Sequence, residues 1–249
     1  MAKEISFTGK NVLVTGGGSG IGKALCQALH AQGAHVFALC KNQDWLNSLV
    51  NECPGVKTIC VDLEDWDGTR AAVSELEVMD CLVNNAGIAA GKIFMETTSE
   101  NFDKLMSVNV KAIINVSQVV AQKMMDSNRS GSIVNVSSIA SRFGVPQSVV
   151  YNVSKAAVDM LTKAMAVELG PKKIRVNAVN PTIIMTPLAK NFYETGPGVQ
   201  VKAKVLARTP MGRICELEEV VNTIMFLLSD LAPMIHGENI FIEGGYSAC

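Results

Sequence analysis

The chain has 249 residues, 48% of them hydrophobic and 18% charged, enough apolar material for a packed core; disorder throughout is excluded. With 22 Lys+Arg against 23 Asp+Glu the net charge is -1 and the pI about 6.3, so nucleic acid is not an expected partner. The first residues lack the apolar segment of a signal peptide, and no later run approaches the length of a membrane span, so a soluble, cytoplasmic protein is expected.

The seven cysteines contain no C-x-x-C pair and are accompanied by only three histidines, which argues against a zinc site or a disulfide framework. Cys40, Cys60 and Cys81 lie within apolar runs and are expected to be buried free thiols.

In chain order, residues 11–15 read as a strand, 20–32 as a helix and 35–40 as a second strand. Strands follow at 57–61, 80–84, 132–136, 175–179 and 239–242. One long helix begins near Thr97, where Thr97 and Glu100 have the spacing of a capping box, and runs to about Ser127. Another spans 149–169 and stops at Gly170-Pro171. The strands are apolar on both faces, as in a parallel sheet covered by helices on both sides. The expectation is an α/β fold, a single domain over 1–249 with a doubly wound sheet of about seven strands.

Thr15-Gly16-Gly17-Gly18-Ser19-Gly20-Ile21-Gly22 follows the first strand and opens the first helix. Glycines let the backbone turn tightly and approach a pyrophosphate, toward which a helix N-terminus directs free N–H groups and partial positive charge. The spacing is G-x-x-x-G-x-G, not the general G-x-G-x-x-G. At the end of the second strand, Leu39-Cys40-Lys41-Asn42 offers no acid for a ribose 2′-hydroxyl, whereas Lys41 can meet a 2′-phosphate; NADP(H) is the expected cofactor.

Tyr151 and Lys155 stand four residues apart at the start of the 149–169 helix, on one face of it. That pair alone is weak evidence. Ser138, thirteen residues before Tyr151 and just past a strand, and Asn109 within the first long helix complete a set. Reducing a carbonyl needs a proton donor beside the developing alkoxide. A lysine ammonium about 4–5 Å from a phenolate is worth roughly 3–4 kcal/mol at an effective dielectric near 20, so Lys155 is expected to lower the Tyr151 pKa. Ser138 would donate to the substrate oxygen.

These motifs, with Asn84-Asn85-Ala86-Gly87 and Asn180-Pro181-Thr182 followed by Thr186, resemble the short-chain dehydrogenase/reductase family over essentially the whole chain. The resemblance implies an active site of Asn109, Ser138, Tyr151 and Lys155, in which Asn109 holds a water linking Lys155 to solvent. It further implies that the dinucleotide meets Gly16, Ser19, Gly20, Ile21, Gly22, Lys41, Asp62, Leu63, Asn85, Ala86, Gly87, Tyr151, Lys155, Pro181, Ile184 and Thr186, and the substrate Ser138, Val145, Ser148 and Tyr151.

Segments without a role in hydride transfer, among them Asn51–Val56, Cys60–Trp66 and Glu243–Cys249, are similar to the branch of the family that reduces α-dicarbonyls and ketoses. That branch implies NADPH-dependent reduction of such compounds, L-xylulose to xylitol included, by a homotetramer with 222 symmetry. The segment 187–209 is expected to be the substrate loop or lid, with Phe192 and Tyr193 either capping a small substrate or packing on the domain. Ile240-Phe241-Ile242 suits a subunit interface, and Cys249 would end near a neighbour's site. A 3-oxoacyl reductase and a non-catalytic NADP(H)-binding sensor are the competing readings.

Overall fold

The computed structural model describes residues 5–196 and 198–248. Seven parallel strands, β1 (Asn11–Thr15), β2 (His35–Cys40), β3 (Lys57–Cys60), β4 (Cys81–Asn84), β5 (Gly131–Val136), β6 (Ile174–Pro181) and β7 (Asn239–Ile242), form one sheet of order β3-β2-β1-β4-β5-β6-β7. The order reverses between β1 and β4, and at such a switch point the connections diverge above the carboxyl ends of the strands, opening a crevice.

The helices are α1 (Gly20–Ala31), α2 (Gln43–Glu52), α3 (Trp66–Ser74), α4 (Ser99–Met106), α5 (Ala112–Asp126), α6 (Val149–Leu169), α7 (Pro187–Lys190), α8 (Val199–Arg208) and α9 (Leu217–Leu228). Alternate strand residues serve two separate cores, as the period of two requires. Val12, Val14, Val36, Ala38 and Val83 pack with Leu25 and Leu29 of α1 and Ile224 and Leu228 of α9. Leu13, Phe37, Leu39, Leu82 and Ile133 pack with Val73 of α3, Val116 and Val120 of α5 and Ala166 of α6. Both faces are therefore apolar and covered.

Two local expectations change. The cap of α4 is Thr98, not Thr97: Thr98 has extended backbone and its hydroxyl accepts from the Asn101 N–H, whereas the Thr97 hydroxyl donates to the Ile93 carbonyl. The long helix is also interrupted by a π-helical turn, Ser107–Lys111, between α4 and α5. A residue inserted into the helical ladder in this way re-aims the side chains of that turn, here placing Asn109 in the interior. Among the described residues no helix is long and apolar enough to cross a membrane.

Candidate active site

The crevice floor is built from the β1–α1 loop. Gly16 (φ 66°) and Gly20 (φ 53°) occupy the left-handed region that favours glycine. A Cβ on Gly22 would stand 2.3 Å from the Gly16 carbonyl oxygen, and one on Gly16 would stand 2.9 Å from Ala86 Cα. Side chains are thus excluded where loop, helix and the strand-β4 loop meet.

Thr15 Oγ1 locks these parts together, accepting from the N–H groups of Asn85 (3.0 Å) and Ala86 (3.1 Å), while Asn85 Nδ2 donates to the Thr15 and Gly16 carbonyls. Ser19 caps α1 in extended backbone without a side-chain bond to the first turn, which leaves that turn's N–H groups available to an anion. Thr186, the N-cap of α7, closes the opposite wall, with its methyl 3.3 Å from the place of a Gly20 Cβ. Ile184, buried, and Pro181, the last residue of β6, carry the chain to that wall. This glycine cradle beneath a helix N-terminus fits a dinucleotide pyrophosphate.

At the adenosine end, Lys41 Nζ lies 3.5 Å from Asp62 Oδ2, and about half of each side chain is exposed. The next residue, Leu63, packs onto the second core. Cys60, expected to be buried, is exposed, because β3 is an edge strand and its last residue lies beyond the helix cover. Cys40 and Cys81 are buried, and burial raises the Cys81 thiol to about 12.

Tyr151, Lys155 and Ser138 come together at the carboxyl end of β5. Ser138 caps the 3-10 turn Ile139–Ser141, its hydroxyl accepting from the Ala140 N–H at 3.1 Å, and it is also hydrogen-bonded to the Tyr151 phenol. Lys155 is 5% exposed; its ammonium donates to the Val136 carbonyl at 2.9 Å and stands 5.6 Å from the centre of the Tyr151 ring. A Cβ on Gly87 would lie 3.6 Å from Lys155 Nζ, so that glycine keeps the space above the lysine open.

The expected lowering of the phenol does not appear: burial pushes Tyr151 above its usual range, opposed by the Ser138 hydrogen bond and reinforced by Tyr193. The lysine is shifted as well: burial brings the Lys155 ammonium down to about 8, with Asp159 opposing, so it is still charged at neutral pH.

Both polar atoms of the Asn109 side chain are occupied by protein partners. Oδ1 accepts from the Ile88 N–H (2.8 Å), and Nδ2 donates to the Ile88 carbonyl (2.9 Å) and to Ser154 Oγ (3.0 Å). Asn109 therefore ties the loop after Gly87 to α6. Ser154, one residue from Lys155, had no motif to mark it.

The expected substrate contacts fall on the turn after Ser138 and on the described residues of the 187–209 segment. In the former, the Val145 carbonyl accepts from Asn152 Nδ2, and Ser148 is the N-cap of α6 with no side-chain cap bond. The latter is α7, a π-helical turn (Asn191–Thr195) and α8, with Phe192 and Tyr193 in an edge-to-face pair at 4.9 Å. Phe192 is exposed and Tyr193 half-buried near the Tyr151 phenol. Cys249 lies outside the described residues. Among the described residues, no group of three or more His, Cys, Asp or Glu is placed to hold a metal.

A family model described as enoyl-(acyl carrier protein) reductase matches residues 16–247. The chain is 49% identical over 247 residues to L-xylulose reductase of Homo sapiens, covering 99% of this chain and 100% of that one. It is 44% identical to D-erythrulose reductase of Gallus gallus over 246 residues, covering 99% of both chains. Among solved structures, a short-chain type dehydrogenase/reductase from Mycobacterium ulcerans superimposes with TM-score 0.91 at 32% identity, covering 98% of this chain and 91% of that one. A putative NAD(P)-dependent gluconate 5-dehydrogenase from Beutenbergia cavernae, with bound NADP, does so with TM-score 0.92 at 31% identity, covering 99% and 100%. With its switch-point crevice and glycine loop, the chain belongs to the short-chain dehydrogenase/reductase family, oxidoreductases that work with a nicotinamide dinucleotide.

Proposed function

We propose that the protein reduces small carbonyl compounds, α-dicarbonyls and ketoses such as L-xylulose, with NADPH, and that Ser138, Tyr151 and Lys155 are its catalytic residues. The observation that carries this reading is the Tyr151 phenol held by Ser138 on one side with the buried Lys155 ammonium beside its ring. When bound, the dinucleotide supplies the hydride. Ser138 donates a hydrogen bond to the carbonyl oxygen and stabilises the charge that grows there. Tyr151 gives up its phenolic proton to that oxygen; its raised pKa keeps it protonated, as an acid must be, throughout the neutral range. The Lys155 ammonium steadies the phenolate left behind. Asn109 positions the loop and helix around them.

Preference for NADP(H) is supported by Lys41, which has no acid beside it on β2 and would exchange its exposed contact with Asp62 for a 2′-phosphate. One substrate-closing segment, residues 187–209, on a single domain accords with Tyr193 standing by the phenol. A homotetramer is supported by Val153, Met160 and Val167, exposed at seven-residue intervals along α6, and by β7 as an edge strand.

The deciding experiment measures NADPH consumption with diacetyl and L-xylulose against acetoacetyl thioesters and a blank. Turnover of the first two supports the proposal; preference for the thioesters would favour the acyl substrates suggested by the family model's description, and no turnover at all would favour a binding protein.

A further inference from the structure

Asp159 has no part in the reaction proposed above, yet it lies one helical turn beyond Lys155 on the same face of α6. Its two carboxylate oxygens lie 2.9 and 3.0 Å from Asn180 Nδ2, and the same nitrogen stands 3.2 Å from the Ser138 carbonyl oxygen and 3.0 Å from Ser141 Oγ. Asn180 is fully buried near the end of β6, and its Oδ1 has no partner among the described residues. All its bonding is on the nitrogen side. An ionised carboxylate is the strongest acceptor there, and turning the amide over would aim Oδ1 at it. Asp159 therefore fixes how Asn180 points, and Asn180 fixes the main chain from which the Ser138 hydroxyl projects toward Tyr151.

The charge matters as well as the contact. Burial works against the Lys155 ammonium and Asp159 works for it. The other charged groups brought to this region are turned elsewhere. Lys111 of the π-helical turn lies over the Trp66 ring, Arg142 after the 3-10 turn over Phe143 and Phe241, and Arg175 of β6 donates to carbonyls of Leu227, Leu228 and Ser229. Glu100, Asp103 and Lys104 of α4 and Lys172 beyond α6 are exposed, and Tyr193 acts on the phenol.

We propose that Asp159 is a positioning residue, which holds Ser138 in place through Asn180 and supports the positive charge on Lys155. The inference rests on the catalytic reading of Ser138, Tyr151 and Lys155. The test compares Asp159→Asn, which keeps an acceptor and removes the charge, with Asp159→Glu, which keeps the charge and displaces the contact. Folding is checked by NADPH fluorescence, and kcat and KM are measured against pH. D159N is expected to move the alkaline limb of kcat to lower pH by roughly half to one unit. D159E is expected to keep the wild-type limb while kcat falls about threefold or more at unchanged KM.

A limb unmoved in D159N overturns the proposal, even if kcat falls at every pH. Should D159N not fold, D159E decides, and an unchanged kcat overturns it. If the wild type consumes no NADPH with any carbonyl, the functional reading fails, not this one. The pH dependence of melting then takes over: the gain in stability that Lys155 contributes between about 8 and 10.5 should begin at lower pH in D159N, and an unchanged profile overturns the proposal.

Discussion

Replacing Lys155 by methionine should stabilise the protein without dinucleotide while abolishing turnover. Burial brings the ammonium from 10.5 to about 8, and at about 1.4 kcal/mol per pH unit the folded chain bears ~3 kcal/mol for keeping that group charged. Methionine retains most of the apolar stem and removes the charge, but it leaves the Val136 carbonyl without its 2.9 Å donor, a loss of about 1–2 kcal/mol. The balance, ~1–2 kcal/mol, corresponds to a melting temperature roughly 3–6 °C higher for a chain of this size.

The sign of the pH dependence follows from linkage. Below about 8 the lysine is protonated in both folded and unfolded chains and its penalty is full; between about 8 and 10.5 the unfolded chain holds a proton that the folded one lacks, so wild-type stability gained from this group rises with pH. The advantage of K155M should therefore be largest near neutrality, vanish between about pH 9 and 10, where the fading penalty equals the lost Val136 contact, and reverse by about 10.5. Calorimetry of both proteins across that range is the assay. A variant melting at or below wild type at neutral pH refutes the argument from burial.

Tyr151→Phe should bind NADPH with near-native affinity and lose nearly all turnover; retention of more than about a tenth of the rate would refute the phenol as proton donor. Gly22→Ala places a methyl 2.3 Å from the Gly16 carbonyl oxygen, so fluorescence titration should find NADPH binding lost and melting should show about 1–3 kcal/mol of destabilisation. Asn109→Ala strands the Ile88 N–H and carbonyl and leaves the Ser154 hydroxyl with only its bond to the Tyr151 carbonyl, which should lower stability by roughly 2–4 kcal/mol in urea unfolding; a midpoint equal to wild type would deny the clamp. Lys41→Ala should weaken NADPH about tenfold relative to NADH, ~1.4 kcal/mol, and an unchanged ratio of the two dissociation constants would remove Lys41 from cofactor selection.

The strand series, the α6 boundaries and the glycine loop are legible in the sequence because each rests on local rules: two-sided apolar runs, a Gly-Pro stop, and glycines where the backbone must turn left-handed. The π-helical turn at Asn109 is not legible, because it exists to satisfy partners at Ile88 and Ser154, far along the chain. Cys60 likewise reads as buried from its neighbours and is exposed because its strand happens to be the sheet edge.

The residue types at Ser138, Tyr151 and Lys155, and their spacing, were set by the sequence alone; so was the absence of an acid after β2. Their electrostatics were not. Only the tertiary structure buries Lys155 against a strand carbonyl, lowers it and raises Tyr151, and only it brings Asp159 and Asn180 to the back of Ser138. Spacing along one helix specifies which side chains share a face. The surrounding dielectric and the contacts between helix, sheet and loop, which decide protonation, arise from packing of segments distant in sequence.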